Sequence, residues 1–190
     1  MVNPYTEFFM ALLHPNLVWM DLEMSGLDPD ANVILEIATI VTDAHLNVLA
    51  EGPVLPVHQP DNILNSMDDW NTRHHTQSGL IERCRKSPYS VSDREAITLD
   101  FLRPFTKEKS NVLCGNSITQ DRRFLYRYMP KISDWLCYRN VDVSSIKELT
   151  YRWYPNLPLF EKQEKHQALD DIRESIAELQ YYKKTVFKDC

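Results

Sequence analysis

Residues 17–24 read LVWMDLEM, an apolar run that turns acidic before it ends. It reads as a buried strand. The turn-forming GLDPD follows, and then two more apolar, β-branched segments, VILEIATIVTD (33–43) and HLNVLAEGPVLPV (45–57), continue as two further strands of a meander. Three such segments in a row commit the chain to a sheet. Residues 66–84 and 90–103 are patterned as helices, and NVLCGN (111–116) as a short strand. SITQDRRFLYRYM (117–129) reads as a helix with Ser117 as its N-cap. DVSSIKELTYRWY (142–154) reads as another, with Ser144 or Ser145 near its start. PNLP breaks the chain, and a helix from about 167 to 187 closes it. Strands first, then strands alternating with helices, predict an α/β fold: a mixed sheet with helices packed on it.

The chain has 190 residues, 43% hydrophobic and 25% charged, which suits one globular domain with a sizeable core. Eleven Pro and four Gly, with no internal repeat, argue against a flexible or repetitive protein. The loop-like stretch 51–66 is too short and too apolar for a domain linker. The first twenty residues lack a basic region and carry Glu7, so a secretory signal is not expected. No run approaches the ~20 apolar residues of a membrane span. Cys84, Cys114, Cys137 and Cys190 are scattered and form no C-x-x-C pair. Buried free thiols in a reducing cytoplasm are therefore expected, not a disulfide framework or a structural zinc. The formal net charge of -6 argues against tracking long nucleic acid, where phosphate contacts dominate affinity. It leaves room for a small anionic ligand held by a few local bases.

Three groups of acids stand in unusual places. Side chains two apart on a strand face the same way, so Asp21 and Glu23 project together. Like charges this close repel, and in a buried site one tends to protonate. A cation removes the problem, and so does exposure at the strand end. Asp121, Phe124, Leu125 and Tyr128 fall at i, i+3, i+4 and i+7, which sets Asp121 on the core-facing stripe of its helix. A carboxylate there needs a base, hydrogen bonds or a metal, or else caps the first turn. In the closing helix, HQALDD (166–171) sets a His before two acids. Leu169, Ile172, Ile176 and Leu179 form its apolar stripe, while Glu174 and Glu178 read as a wet acidic face. At ~100° per residue, Asp171 lies nearer the stripe than Asp170, by a margin too small to decide between them. DPDANVILE (28–36) begins like a calcium loop. It carries Val33 where that loop needs Gly, and Thr39 falls where the bidentate Glu belongs.

The segments WMDLEMSGLDP, MDDWNTRHH, SGLIERC, GNSITQDRRFL, DVSSIKEL and HQALDDIRESIAEL resemble the oligoribonuclease group of the DEDDh 3′-to-5′ exonucleases, over about residues 17–182. The resemblance implies a ribonuclease-H-like fold spanning 17–190 as a single exonuclease domain, with 1–16 as an extension outside it. It implies Asp21, Glu23, Asp121 and Asp171 as metal ligands and His166 as general base, which selects Asp171 over Asp170. Carboxylates are the hard ligands that Mg²⁺ and Mn²⁺ prefer. Two such ions can stabilise the attacking and leaving oxygens of an in-line displacement at phosphorus, and a neutral imidazole can take the proton of the attacking water.

The resemblance also implies substrate groups. Leu27 matches a wedge between two bases and Trp70 a stacking platform, where stacking contributes ~1–3 kcal/mol per base. Ser117, His75, Arg139, Ser144 and Ser145 match the surroundings of a 5′-terminal phosphate. Tyr138 matches an aromatic supplied to a second protomer, which implies a homodimer. His74, beside His75, departs from the family pattern. The expected substrates are very short RNAs, chiefly 5′-phosphorylated dinucleotides. The competing possibilities are an exonuclease acting on DNA or tRNA ends, and a non-catalytic nucleotide-binding module. The net charge disfavours the first, and the presence of all four acids and the His disfavours the second.

Overall fold

The computed structural model describes residues 15–161 and 168–188. His166 and most of the 1–16 extension lie outside the described residues. The sheet is six-stranded and mixed, as expected. β1 (Leu17–Met24) pairs antiparallel with β2 (Ile34–Thr42), which pairs antiparallel with both β3 (Val48–Glu51) and β4 (Leu55–Pro56). On its other side β1 runs parallel to β5 (Leu113–Gly115), and β5 runs parallel to β6 (Asn140–Asp142).

The strand expected over 45–57 is two strands instead. Gly52 and Pro53 interrupt it, and a proline cannot donate to a ladder. The helix expected over 66–84 is likewise two, α2 (Asp69–Gln77) and α3 (Leu80–Lys86), because Gly79 between them takes a left-handed φ of 71°. A short α1 (Asp61–Leu64) precedes them, and α4 (Val91–Leu102) follows as expected. α5 (Thr119–Tyr128) leads into a short α6 (Pro130–Trp135), which the pattern did not reveal. α7 (Val143–Trp153) and α8 (Ala168–Thr185) complete the described helices. None of these is long and apolar enough to cross a membrane.

One expected cap is corrected, and a second helix start is capped by an acid. Ser117 does not cap α5: it sits two residues before the helix at φ 50°, and that helix end carries no side-chain cap. Neither Ser144 nor Ser145 caps α7, because the Asp142 carboxylate takes that role and accepts the N–H of Ser144. A carboxylate is the stronger acceptor for that donor.

Helices cover both faces of the sheet. Val18, Met20 and Leu22 of β1 pack with Leu99, Phe124, Leu125 and Ile132 from α4, α5 and α6. Trp19, pointing the other way, packs with Ile172, Ile176 and Tyr182 of α8. All nine residues of β2 are buried, as a strand covered on both faces requires. Each large apolar side chain so buried contributes about 1.5–3 kcal/mol before entropy is counted. By the period of two, Asp21 and Glu23 emerge on the Trp19 side, the side that α8 covers.

Candidate active site

Asp21 and Glu23 leave the carboxyl end of β1, and Asp171 comes down from the first turn of α8. One carboxylate oxygen from each lies within 4.8 Å of the others. The parallel pair β1 and β5 ends here, and open α/β sheets bind their ligands at such strand ends. Asp121 approaches from the opposite face of the sheet. Its Oδ1 accepts the backbone N–H of Leu22 at 2.9 Å, from the residue between the two strand acids. It is 6% exposed, as the core-facing stripe required. Asp170 turns away into an ion pair with Arg173 at 2.8 Å, and Arg173 also grips Glu51. Asp171 is therefore the member of the pair that joins the other acids.

The electrostatics follow from this crowding. Burial, then the charges of Asp171, Glu36 and Asp121, push the Glu23 carboxyl up to about 7. Burial also raises Asp121, against the stabilising N–H of Leu22. Carboxylates massed like this resist full ionisation unless a cation enters. The donor set is all oxygen, which suits hard ions such as Mg²⁺ and Mn²⁺ and not a softer metal wanting nitrogen or sulfur.

The other expected residues separate into groups. Leu27 is 71% exposed at the tip of the turn after β1. That turn is tied down: Gln120 donates to the Leu27 carbonyl, and the Tyr128 hydroxyl lies 2.9 Å and 2.7 Å from the carbonyls of Pro29 and Asn32. Trp70 is 63% exposed and stacks on His74, with centroids 4.6 Å apart and planes 9° from parallel. His74 thus has a physical place, as a brace behind an exposed indole.

His75 is not at the surface. It is 2% exposed, with Nε2 3.0 Å from the Met24 carbonyl oxygen and Nδ1 3.9 Å from a Glu23 oxygen. Burial depresses its pKa, so the neutral ring is favoured. Its position is beside the strand acids: the Met24 carbonyl only accepts, so Nε2 carries the proton and Nδ1 faces Glu23 beyond hydrogen-bond distance. Ser117 and Ser144 do come together: the Ser117 N–H reaches Asp142 Oδ1 at 3.0 Å and Ser144 Oγ at 2.9 Å. Ser145 is exposed on the first turn of α7. Tyr138 is 81% exposed, with the exposed Arg139 guanidinium 5.4 Å from its ring.

A family model described as exonuclease, of the RNase T type, matches residues 18–179. An oligoribonuclease of Pseudomonas savastanoi pv. phaseolicola is 58% identical over 173 residues, covering 91% of this chain and 97% of that protein. An oligoribonuclease of Vibrio campbellii is 57% identical over 180 residues, covering 94% and 99%. The chain belongs to the oligoribonuclease family of exonucleases. It is accordingly a nuclease, a hydrolase of phosphodiester bonds, with an acidic cluster suited to divalent metal. Among solved structures, exonuclease I from Methylocaldum szegediense matches with a TM-score of 0.69 at 17% identity, over 90% of this chain and 41% of that one. The E. coli ExoI–ssDNA complex matches with a TM-score of 0.70 at 17% identity, over the same shares. The chain thus spans about 41% of those proteins and shares their ribonuclease-H-like exonuclease fold.

Three polar residues of this oligoribonuclease-family site escaped sequence reasoning. Glu36 stands opposite Glu23 across β1 and β2, is 1% exposed, and is held by Arg83 through contacts of 3.0–3.2 Å. A lone acid inside the apolar VILEIATIVTD was the available signal. Glu178, expected on a wet face, is fully buried. Asn116, just before Ser117, binds both Glu178 and Ser144.

Proposed function

We propose that this chain is a 3′-to-5′ exoribonuclease of very short oligoribonucleotides, chiefly 5′-phosphorylated dinucleotides, which it hydrolyses to mononucleotides. Asp21, Glu23, Asp121 and Asp171 hold two divalent ions, Mg²⁺ or Mn²⁺, and His166 is the general base. The observation that carries this function is the convergence of three carboxylates at the end of β1, with Asp121 bonded to the strand between them. The relatives named oligoribonuclease support the substrate class.

Bound divalent ions supply Lewis acidity at the phosphoryl group and a more acidic water. The chain's own groups do the rest. The four carboxylates neutralise the ions and fix where the scissile phosphate lies. His75, beside Glu23, belongs with the groups around the terminal phosphate. A neutral His166 takes the proton of the attacking water. Leu27 wedges between two bases and Trp70, braced by His74, stacks on one. Ser117, Ser144, Ser145 and Arg139 surround the terminal phosphate. A guanidinium favours a phosphomonoester, which carries more charge than an internal diester. Tyr138, exposed as it is, reaches the site of a second protomer in a homodimer. The exonuclease domain spans 17–190, and the enzyme works in the cytoplasm without membrane or long nucleic acid.

The test is initial rates on 5′-phosphorylated RNAs of two to seven nucleotides, with Mg²⁺, Mn²⁺ or EDTA. Dinucleotides should show the highest kcat/KM, and EDTA should abolish turnover. A kcat/KM that stays level or rises with length would overturn the short-RNA specificity, and undiminished hydrolysis in EDTA would overturn the metal mechanism.

A further inference from the structure

Resting on the short-RNA function proposed above, we infer that Asn116 and Glu178 are positioning residues: a relay from α8 that orients Ser144, and through it Ser117, toward the terminal phosphate.

Ser117 is held in an uncommon conformation. Its φ of 50° lies in the left-handed region, which costs a non-glycine residue roughly 1 kcal/mol or more and persists only where surroundings impose it. The surroundings are acceptors: Asp142 Oδ1 and Ser144 Oγ both take the Ser117 N–H. Ser144 must therefore be held with its lone pairs toward Ser117.

The relay does this by counting protons. Glu178 is fully buried, and as a carboxylate it only accepts. Its oxygens take the Tyr182 hydroxyl at 3.0 Å, the Lys147 ammonium at 3.5 Å and the Asn116 amide nitrogen at 3.2 Å. That last bond fixes which way the Asn116 amide faces. The amide's second proton goes to Ser175 Oγ at 2.8 Å, and Ser175 passes its own proton to the carbonyl of Asp171, also at 2.8 Å. The Asn116 oxygen is left facing Ser144, whose single hydroxyl proton it receives at 3.1 Å.

With that proton on Asn116, Ser144 has none for Ser117. In its 3.2 Å contact with Ser117 Oγ, Ser117 must be the donor. That contact and the 3.1 Å bond from Ser144 to Asn116 are both long for hydroxyl donors, so turning either proton toward a phosphate oxygen sacrifices little. Both hydroxyls are thus available to the phosphate, and Ser144 also aims Ser117. The same relay ends on the main chain of Asp171, so the phosphate end and the metal end of the site share one buried scaffold.

The experiment compares 5′-phosphorylated with 5′-hydroxyl RNA dinucleotides, reading kcat and KM separately, for wild type, Asn116→Ala, Glu178→Ala, Glu178→Gln and Ser144→Ala. Wild type should prefer the phosphorylated substrate. Asn116→Ala, Glu178→Ala and Ser144→Ala should each lower that preference about tenfold or more, mainly through KM, the size of one lost charge-assisted bond. Glu178→Gln keeps an acceptor for Asn116 and should retain the preference within about threefold. A scaffold acting only through stability would lower both substrates in proportion, and an unchanged ratio in the folded variants would overturn the inference. Ser144→Ala, on the surface side of the relay, keeps the test open if the buried variants fold poorly. Should wild type itself ignore the 5′ phosphate, the relay falls, while the short-RNA function stands or falls on the length dependence.

Discussion

Asp171, half-buried, and Glu178, fully buried, lie two turns apart on the same helix in opposite surroundings. The neighbours of Asp171 at the site are other acids, Asp21 and Glu23. Glu178 is ringed by an amide, a phenol and an ammonium. Burial of a carboxylate therefore does not mark a site by itself. The sign of what surrounds it does: donors around an acid make a scaffold, and acids around an acid call for a cation. Glu36 falls on the scaffold side, gripped by Arg83, although it stands directly across the ladder from Glu23.

Substitution at the two positions should separate them most sharply. Asp171→Asn should reduce turnover by about 10³-fold or more, the several kcal/mol that bound metal contributes at phosphorus. Its stability in EDTA should not fall, since one crowded charge is gone. Activity assays beside denaturant melts check this, and near-wild-type turnover with excess Mg²⁺ would remove Asp171 from the site. Glu178→Ala should do the reverse to the fold. It strands the half-buried Asn116 amide and the buried Tyr182 hydroxyl, and an orphaned donor costs about 1–3 kcal/mol. A total loss of roughly 2–4 kcal/mol in urea unfolding is expected, and an insignificant loss would show that these donors find other acceptors.

A smaller and pH-dependent effect belongs to Glu23. Its folded pKa is raised from 4.5 to about 7, so the metal-free folded state disfavours its charge. The resulting penalty is absent below about pH 4.5, grows as pH rises toward 7, and is full above that. In EDTA, Glu23→Gln should thus be more stable than wild type by about 1–3 kcal/mol at pH 8 and no different near pH 4.5. Saturating Mn²⁺ should invert the order at pH 8. Denaturation at several pH values with and without the ion measures both arms, and a gain that grows as pH falls would contradict the assignment. The smallest change is expected at Trp70. Trp70→Ala should alter stability by less than about 0.5 kcal/mol, since the ring is exposed, yet lower kcat/KM on a dinucleotide about fivefold or more through lost stacking. Equal rates would leave the indole without a substrate role.

Sequence patterns reported local facts well. The strand period placed Asp21 and Glu23 on one face, and Phe124 and Leu125 marked the stripe that buries Asp121. They failed where a partner came from far along the chain. Glu178 read as solvated because an acid on an amphipathic helix usually is, and Asn116 and Lys147, which bury it, lie on other elements. Ser117 has the chemistry of a cap, but Asp142 pulls its N–H into a left-handed turn. Nothing in the sequence signalled that His75 is buried, because the Met24 carbonyl it meets lies 51 residues away. α6 and β6 are too short for a periodic signal. Asp170 and Asp171 differ too little in angle to be told apart by periodicity, and Arg173 with Glu51 makes the distinction in three dimensions.

The most direct measurement is calorimetric titration of the metal-free protein with Mn²⁺ near pH 7, for wild type and Asp171→Asn, in buffers of different ionisation enthalpy. Wild type should bind the ion and release protons as it does so, because Glu23 must ionise to become a ligand. Asp171→Asn should bind about 100-fold more weakly or not at all, a loss of about 3 kcal/mol. Equal affinity in the two proteins, or wild-type binding without proton release, would contradict the claim that these crowded acids form a divalent-cation site.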